Sequence, residues 1–343
     1  MKRAARSRGA SGEARAVSRL SELFRVRAGA LPELAVGIGD DAAVLELPGA
    51  RTLVWTSDAC VEGVHFDRAW LSLEDVGWRS FQAAVSDVAA MGGRALAALS
   101  NVVLPAADAQ AELVALARGQ AEAARKARCP IIGGNLSRGG ELSVTTTVLG
   151  ECEKPLLRSG ARAGDELWLI GDVGLARAGL ELLRSGRAAR SKALKRCVEA
   201  FRRPLARLDQ SASLARAARA ALDVSDGLAG DAARLADASG VRVVFEEAAL
   251  RGALAPELDL AARAVRVPAL ELALYGGEDY ALLAAGPAAQ RPRTARRIGR
   301  VERGRGTVLE HAGGGATRLA DGFDHLGVRS TTTSGRRRAS RRL

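Results

Sequence analysis

Two hydrophobic rhythms run along the chain. In "TLVWTSD" (52–58) and "ELSVTTTVLG" (141–150), apolar and β-branched residues recur at every second position, the period of a half-buried strand. Helical stretches lie between them. "SLEDVGWRSFQAAVSDVAAMGG" opens with Ser72 and Asp75 at capping-box spacing and stops at Gly92 and Gly93, which predicts a helix from about 73 to 91. A second helix is expected over about 108–127. The turn-rich segment "EKPLLRSGARAGD" (153–165) separates two regions that each begin afresh with a strand. Beyond it, "ELWLIGDVG" reads as strand and glycine turn, "LARAGLELLRSG" as helix, and Ala- and Arg-rich sequence as long helices from about 191 to 220. "VRVVFEE", "YALLAAG" and "RRIGRV" supply further strands. Both halves mix strands with helices, so the expected fold class is α/β (α+β) in two domains, 20–152 and 153–328, between basic tails at 1–19 and 329–343. There is no short tandem repeat.

A length of 343 residues suits two domains, and 48% hydrophobic with 26% charged residues is the profile of a soluble globular protein. Only 3% of residues are aromatic, which leaves Ala, Leu and Val to do most of the packing. Net charge is +12, but Lys2, Arg3, Arg6, Arg8, Arg336, Arg337, Arg338, Arg341 and Arg342 carry nine of those charges, leaving +3 for residues 9–334. Such ends are expected to be solvated, with weak attraction to polyanions and no recognition surface. Cys60, Cys129, Cys152 and Cys197 form no CxxC pair and too few cysteines for a disulfide framework, which fits a reducing, cytoplasmic location. No run approaches the ~18 apolar residues of a membrane span.

With the body nearly neutral, its acids become informative. Asp40 and Asp41 follow two glycines in "GIGDD" (37–41), which reads equally well as an exposed turn or as a ligand site. Asp58 closes a strand beside the hydroxyls of Thr56 and Ser57. On a helix, Asp87 has Ala83, Ala84, Ala90 and Met91 as neighbours, so its carboxylate leaves an apolar face. Such a group is costly to bury without a cation or hydrogen bonds, unless that face is open to water. Asp223, Ser225 and Asp226 sit at a strand-to-helix junction, where an ordinary N-cap accounts for Ser225 or Asp226. "GGN" (133–135) and "GGED" (276–279) add glycine-flanked polar groups.

Together these oxygens suit Mg²⁺, which usually reaches a protein with substrate phosphates, and phosphoryl transfer is the reaction class that most needs it. His65, His311 and His325 are too few and too scattered for a zinc cluster. GxxxxGK[ST], HRD and DFG are absent, so any ATP is held by another scaffold.

"GIGDDAAVL", "TSDACVEGVHF", "AVSDVAAMGG", "GGNLSRGGELSVTTTVLGE", "LRSGARAGDELW", "LDVSDGL", "GGEDYALL" and "GFDHL" resemble, in order and spacing, the thiamine-monophosphate kinase family over about residues 20–326. The resemblance implies a two-domain aminoimidazole ribonucleotide synthetase-like fold and a homodimer that pairs N-terminal sheets. It also implies direct transfer of the γ-phosphoryl of ATP to thiamine monophosphate with Mg²⁺; because an acceptor phosphate is already substantially ionised near neutral pH, no dedicated base is expected. By matching motif, Asp41, Thr56, Ser57, Asp58, Asp87, Asn135, Asp223 and Asp226 would be magnesium ligands. Gly134, Asn135, Arg158 and Ser225 would contact ATP, while His65, Glu278 and Phe323 would contact thiamine monophosphate. The family pattern "GGDTTRG" reads "GGNLSRG" here, so Asn135 stands where an aspartate is usual and offers an amide oxygen without charge.

Two alternatives remain at this level. One is another ATP-dependent enzyme of the same superfamily, such as aminoimidazole ribonucleotide synthetase, which shares the acidic clusters. The other is a non-enzymatic nucleic-acid-binding protein, prompted by a pI of 10.6, against which the acids of the body argue.

Overall fold

A computed structural model describes residues 32–49, 52–105, 110–187 and 191–319. Phe323, both basic tails and residues 20–31 lie outside these ranges.

Strands β1 (Leu34–Val36), β2 (Ala43–Glu46), β3 (Thr52–Val61), β4 (Arg94–Leu104), β5 (Ile131–Arg138) and β6 (Ser143–Cys152) form one sheet in the order β1-β2-β3-β6-β4-β5. The alternation in "TLVWTSD" becomes a two-faced strand, with Val54 and Thr56 buried while Trp55 and Ser57 are exposed. β4 and β5 pair in parallel, and α2 (Gln110–Ala127) makes the crossover between them. β4 departs from the helical reading of the stretch between the first two predicted strands. "RALAALSNVVL" is rich in helix formers, but it is laddered by β6 on one side and β5 on the other, and this pairing overrides propensity.

Helix α1 (Leu73–Ala90) begins at the predicted capping box, with Ser72 and Asp75 bonded reciprocally. Fourteen of its eighteen residues are buried, the mark of a helix enclosed on every side. Val85 and Val88 pack on Val54 and Val148 of the first sheet. Ala89 and Ala90 meet Trp168, Ile170, Leu282 and Ala284 of the second. α2 lies against a third side, where a Cβ on Gly119 would fall 1.8 Å from the Glu74 carbonyl oxygen.

The second sheet has the order β13-β12-β9-β11-β7-β10-β8. Its strands are β7 (Glu166–Ile170), β8 (Ala220–Val224), β9 (Arg242–Glu246), β10 (Ala281–Gly286), β11 (Arg296–Glu302), β12 (Gly306–Glu310) and β13 (Ala316–Arg318). The helical run predicted for 191–220 is two helices, α4 (Lys192–Arg202) and α5 (Leu208–Ala217), because Pro204 cannot continue the first. α4 joins α3 (Leu175–Arg184), α6 (Leu228–Ser239), α7 (Glu247–Ala253), α8 (Pro256–Val265) and α9 (Ala269–Tyr275) around a core containing Leu169, Leu222, Phe245 and Ile298. α5 instead packs with the end of α1 on the opposite face. No helix of the described residues is long and apolar enough to cross a membrane.

Candidate active site

The period of β8 decides where Asp223 points. Ala220, Leu222 and Val224 enter the helix-covered core, whereas Ala221 faces α1, so Asp223 also turns toward α1. Asp87 projects from α1, and Asp41 follows the turn beyond β1. Carboxylate oxygens of Asp41, Asp87 and Asp223 all lie within 4.8 Å of one another. Three segments separated by most of the chain thus converge. Asp87 is half-buried among buried helix neighbours and turns toward the other two acids, not to an open helix face, and the exposed-turn alternative for Asp41 is excluded by a side chain with 0% exposure.

Burial raises all three acids above the ordinary carboxylate range. Asp41 is pushed up to about 7 by desolvation, against the pull of Arg158 and with a further push from Asp223. Asp223 reaches about 6 through desolvation, opposed by the Ser86 hydroxyl and Arg158. Asp87 is raised well above its usual value by desolvation and by the charges of Asp223 and Asp41. Thr56 donates to Asp87 at 2.5 Å, and Asp58 is near enough to raise both Asp87 and Asp223. Asp41 Oδ2 is buried without a hydrogen-bond partner. An orphaned oxygen among three crowded carboxylates, with no thiolate or imidazole in the set, is the donor chemistry of a hard divalent cation.

Arginines border this cluster. Arg158 donates through Nε to Asp41 at 2.7 Å, and its backbone N–H donates to the Asp40 carboxylate. Asp226 is bonded by Arg234 at 2.5 Å. Neither Ser225 nor Asp226 is the expected N-cap. Gly227 is the N-cap of α6 and has no side-chain cap bond, while Asp231 reaches back from the first turn to accept the N–H groups of Ser225 and Asp226, each at 3.1 Å.

The "GGED" loop closes on the same region. Gly277 has φ 76°, and a Cβ there would lie 2.7 Å from the Ser225 carbonyl oxygen, so the loop can seat only with glycine. Glu278 follows in the left-handed region at φ 62°, a conformation that its surroundings must enforce. Its N–H bonds the Ser225 carbonyl at 2.7 Å, and its carboxylate accepts from the buried Arg79 of α1 and from Tyr280. Arg79 also donates to the Phe201 carbonyl and stacks 4.8 Å from that ring. Asp279 caps α3 by accepting the N–H groups of Gly174 and Ala176. His65 lies in the turn after β3, with Nδ1 accepting the Val61 N–H at 3.1 Å.

Two of the expected side chains are directed elsewhere. Ser57 alternates with Thr56 and Asp58, so its hydroxyl meets Thr147 at 3.1 Å on the opposite face of the sheet. Register Asn101↔Asn135 and Asn101↔Thr145 puts Asn135 on that same face, with Gly134 beside it in β5. Arg79, Asp231 and Arg234 were missed by motif reading. Arg79 carried a signal, being a charge amid an apolar helix; Asp231 and Arg234 resemble ordinary surface positions of α6.

Residues 39–152 match the model of the AIR synthase related protein N-terminal domain, and residues 162–311 match the corresponding C-terminal domain. The thiamine-monophosphate kinase of Aquifex aeolicus is 35% identical over 275 residues, which is 80% of this chain and 89% of that protein. The chain belongs to the thiamine-monophosphate kinase family. The Mycobacterium tuberculosis thiamine-monophosphate kinase is 36% identical, covering 80% of this chain and 81% of its own length. Among solved structures, AaThiL complexed with AMPPCP and TMP superposes with a TM-score of 0.82 at 32% identity, covering 92% of this chain and 97% of that one.

Proposed function

We propose that this member of the family transfers the γ-phosphoryl group of ATP to thiamine monophosphate, giving thiamine diphosphate and ADP. The observation that carries this reading is the meeting of Asp41, Asp87 and Asp223 in one largely buried cluster near the Glu278 loop. The solved structure of AaThiL holds AMPPCP, an ATP analogue, together with TMP.

Asp41, Asp87 and Asp223 are the residues proposed to hold Mg²⁺, with Thr56 orienting Asp87 and with Asp58 and Asp226 at the margin. Bound there, Mg²⁺ supplies charge neutralisation between two phosphorylated anions. Arg158 offers its guanidinium to the ATP phosphates from a position beside Asp41, and Ser225 lies at the loop that precedes α6. Glu278, fixed by Arg79 and Tyr280, faces the acceptor together with His65; Phe323 completes the proposed acceptor contacts. The acceptor phosphate monoester is already substantially ionised near neutral pH, since its second pKa is about 6, so no side chain must remove a proton.

Ser57 and Asn135 lie on the face of the first sheet that also exposes Trp55 (50%) and Leu99 (40%), with the backbone of Gly134 beside them. A homodimer packed on this face would cover both aromatic and aliphatic surface and bring those polar residues against nucleotide. The domain limits 20–152 and 153–328 and a cytoplasmic location complete the proposal.

The test is product analysis. Full-length protein with ATP, Mg²⁺ and thiamine monophosphate should yield thiamine diphosphate and ADP in equal amounts, without consuming formylglycinamidine ribonucleotide. Consumption of the latter with thiamine monophosphate left intact would replace this reading with that of another enzyme of the superfamily.

A further inference from the structure

A cleft of about 1000 Å³ opens where the start of β4, the end of β6 and the C-terminal end of α2 face α5. None of its lining residues belongs to the candidate active site. Along β6, the cleft residue Cys152 is six positions from Thr146, the partner of Asp58, or about 20 Å at the rise of a strand.

The lining is strongly basic. Arg94, Arg125, Lys126, Arg128, Lys154 and Arg216 all border it. The acids Glu151, Glu153 and Asp209 offset half of that charge, and Glu151 is engaged by Arg94 at 2.5 Å. The other five cations make no ion pair among the described residues, and Arg125, Arg128, Lys154 and Arg216 are exposed. A concave surface with unpaired cations on three elements concentrates positive potential and attracts anions.

Arg128 adds an independent observation. It occupies the left-handed region at φ 54°, closing α2 in a turn where the Cys129 N–H bonds the Ala124 carbonyl. Glycine is the usual residue at such a helix end, because a side chain there costs about 1 kcal/mol. The chain accepts that strain and thereby places a guanidinium at the mouth of the cleft.

We infer that this cleft is a second anion site, which takes a small molecule bearing two or more linked phosphates. The volume is that of a single small-molecule ligand and far too small for a nucleic-acid duplex. The six basic groups are distributed around the opening and match a chain of phosphates better than a single one. No aromatic side chain lines the cleft, so recognition rests on the phosphates and not on a base or heterocycle. The inference is independent of the reaction assigned above.

Inorganic triphosphate is the probe, titrated calorimetrically into full-length protein in EDTA. Without a divalent cation, Asp41, Asp87 and Asp223 repel a polyanion, so the heat reports binding elsewhere. Wild-type protein should bind triphosphate, and the exposed pair Lys154→Glu with Arg216→Glu should weaken it at least about tenfold while leaving kinase turnover unchanged. Arg128→Gly separates binding from folding, because it should raise the melting temperature yet also weaken triphosphate binding. If both variants bind triphosphate as wild type does, the basic tails or another surface hold the anion and the inference fails. It fails equally if wild type gives no binding heat, or if binding is lost only in Asp87→Asn.

Discussion

Arg158 donates through Nε to Asp41 at 2.7 Å, so a residue expected to contact nucleotide neutralises one expected to bind metal. The pair is chemically consistent with a site that alternates between cations. With no divalent ion present, the guanidinium offsets part of the cost of burying Asp41; with nucleotide present, it can turn to phosphate. Arg158→Met should therefore raise the KM for ATP and also lower the melting temperature of the metal-free protein. Comparing thermal unfolding with and without Mg²⁺ checks the second part, since added Mg²⁺ should restore more stability to the variant than to wild type.

Asp87→Asn keeps the shape of the side chain and removes its charge. Turnover should fall by about a hundredfold, with partial recovery as Mg²⁺ is raised. A steady-state Mg²⁺ titration separates this from a misfolded site, in which the loss would be equal at every concentration.

The raised acids also fix the sign of the pH dependence. Asp41 at about 7 and Asp223 at about 6 lie above the ordinary value of 3.8, so between these limits the folded, metal-free protein holds more protons than the unfolded chain. Their contribution to stability is complete below the ordinary carboxylate value and is lost as pH rises through about 6 to 7. Mg²⁺ must displace those protons, so its stabilising effect should grow across the same window. Melting temperatures with and without Mg²⁺, measured from pH 5 to 8, should diverge with rising pH; a constant separation would contradict the assignment.

Arg79 is a buried cation whose partners are Glu278, the Phe201 carbonyl and the Phe201 ring. Arg79→Met should cost about 3 kcal/mol, because it leaves a partly buried carboxylate without its partner. Glu278→Gln leaves the buried Arg79 without its counter-charge, so it should cost at least as much stability, and it should also raise the KM for thiamine monophosphate. Denaturant unfolding and steady-state kinetics on the two variants check this; an unchanged KM in Glu278→Gln would make Glu278 only a structural partner.

Much of this architecture was legible in the residues. Ser72 and Asp75 marked the start of α1, and the alternation in "TLVWTSD" marked β3, because capping and strand period are local properties. Asp87 was legible as an acid on an apolar face. By contrast, the strand identity of "RALAALSNVVL" depends on its two neighbours and leaves no local trace. The split between Thr56 and Ser57, in contrast, follows from the strand period, since adjacent side chains on a strand point to opposite faces; motif position alone made both ligands. The Arg79–Glu278 pair joins positions 199 residues apart, and no pattern in one sequence announces it.

The most direct measurement is binding of Mn²⁺, followed by electron paramagnetic resonance, to full-length protein with a nonhydrolysable ATP analogue. Asp41→Asn, Asp87→Asn and Asp223→Asn should each weaken Mn²⁺ binding, while the melting temperature in EDTA stays equal to or above that of wild type. Unchanged Mn²⁺ affinity in all three variants would mean that the clustered carboxylates do not hold the ion.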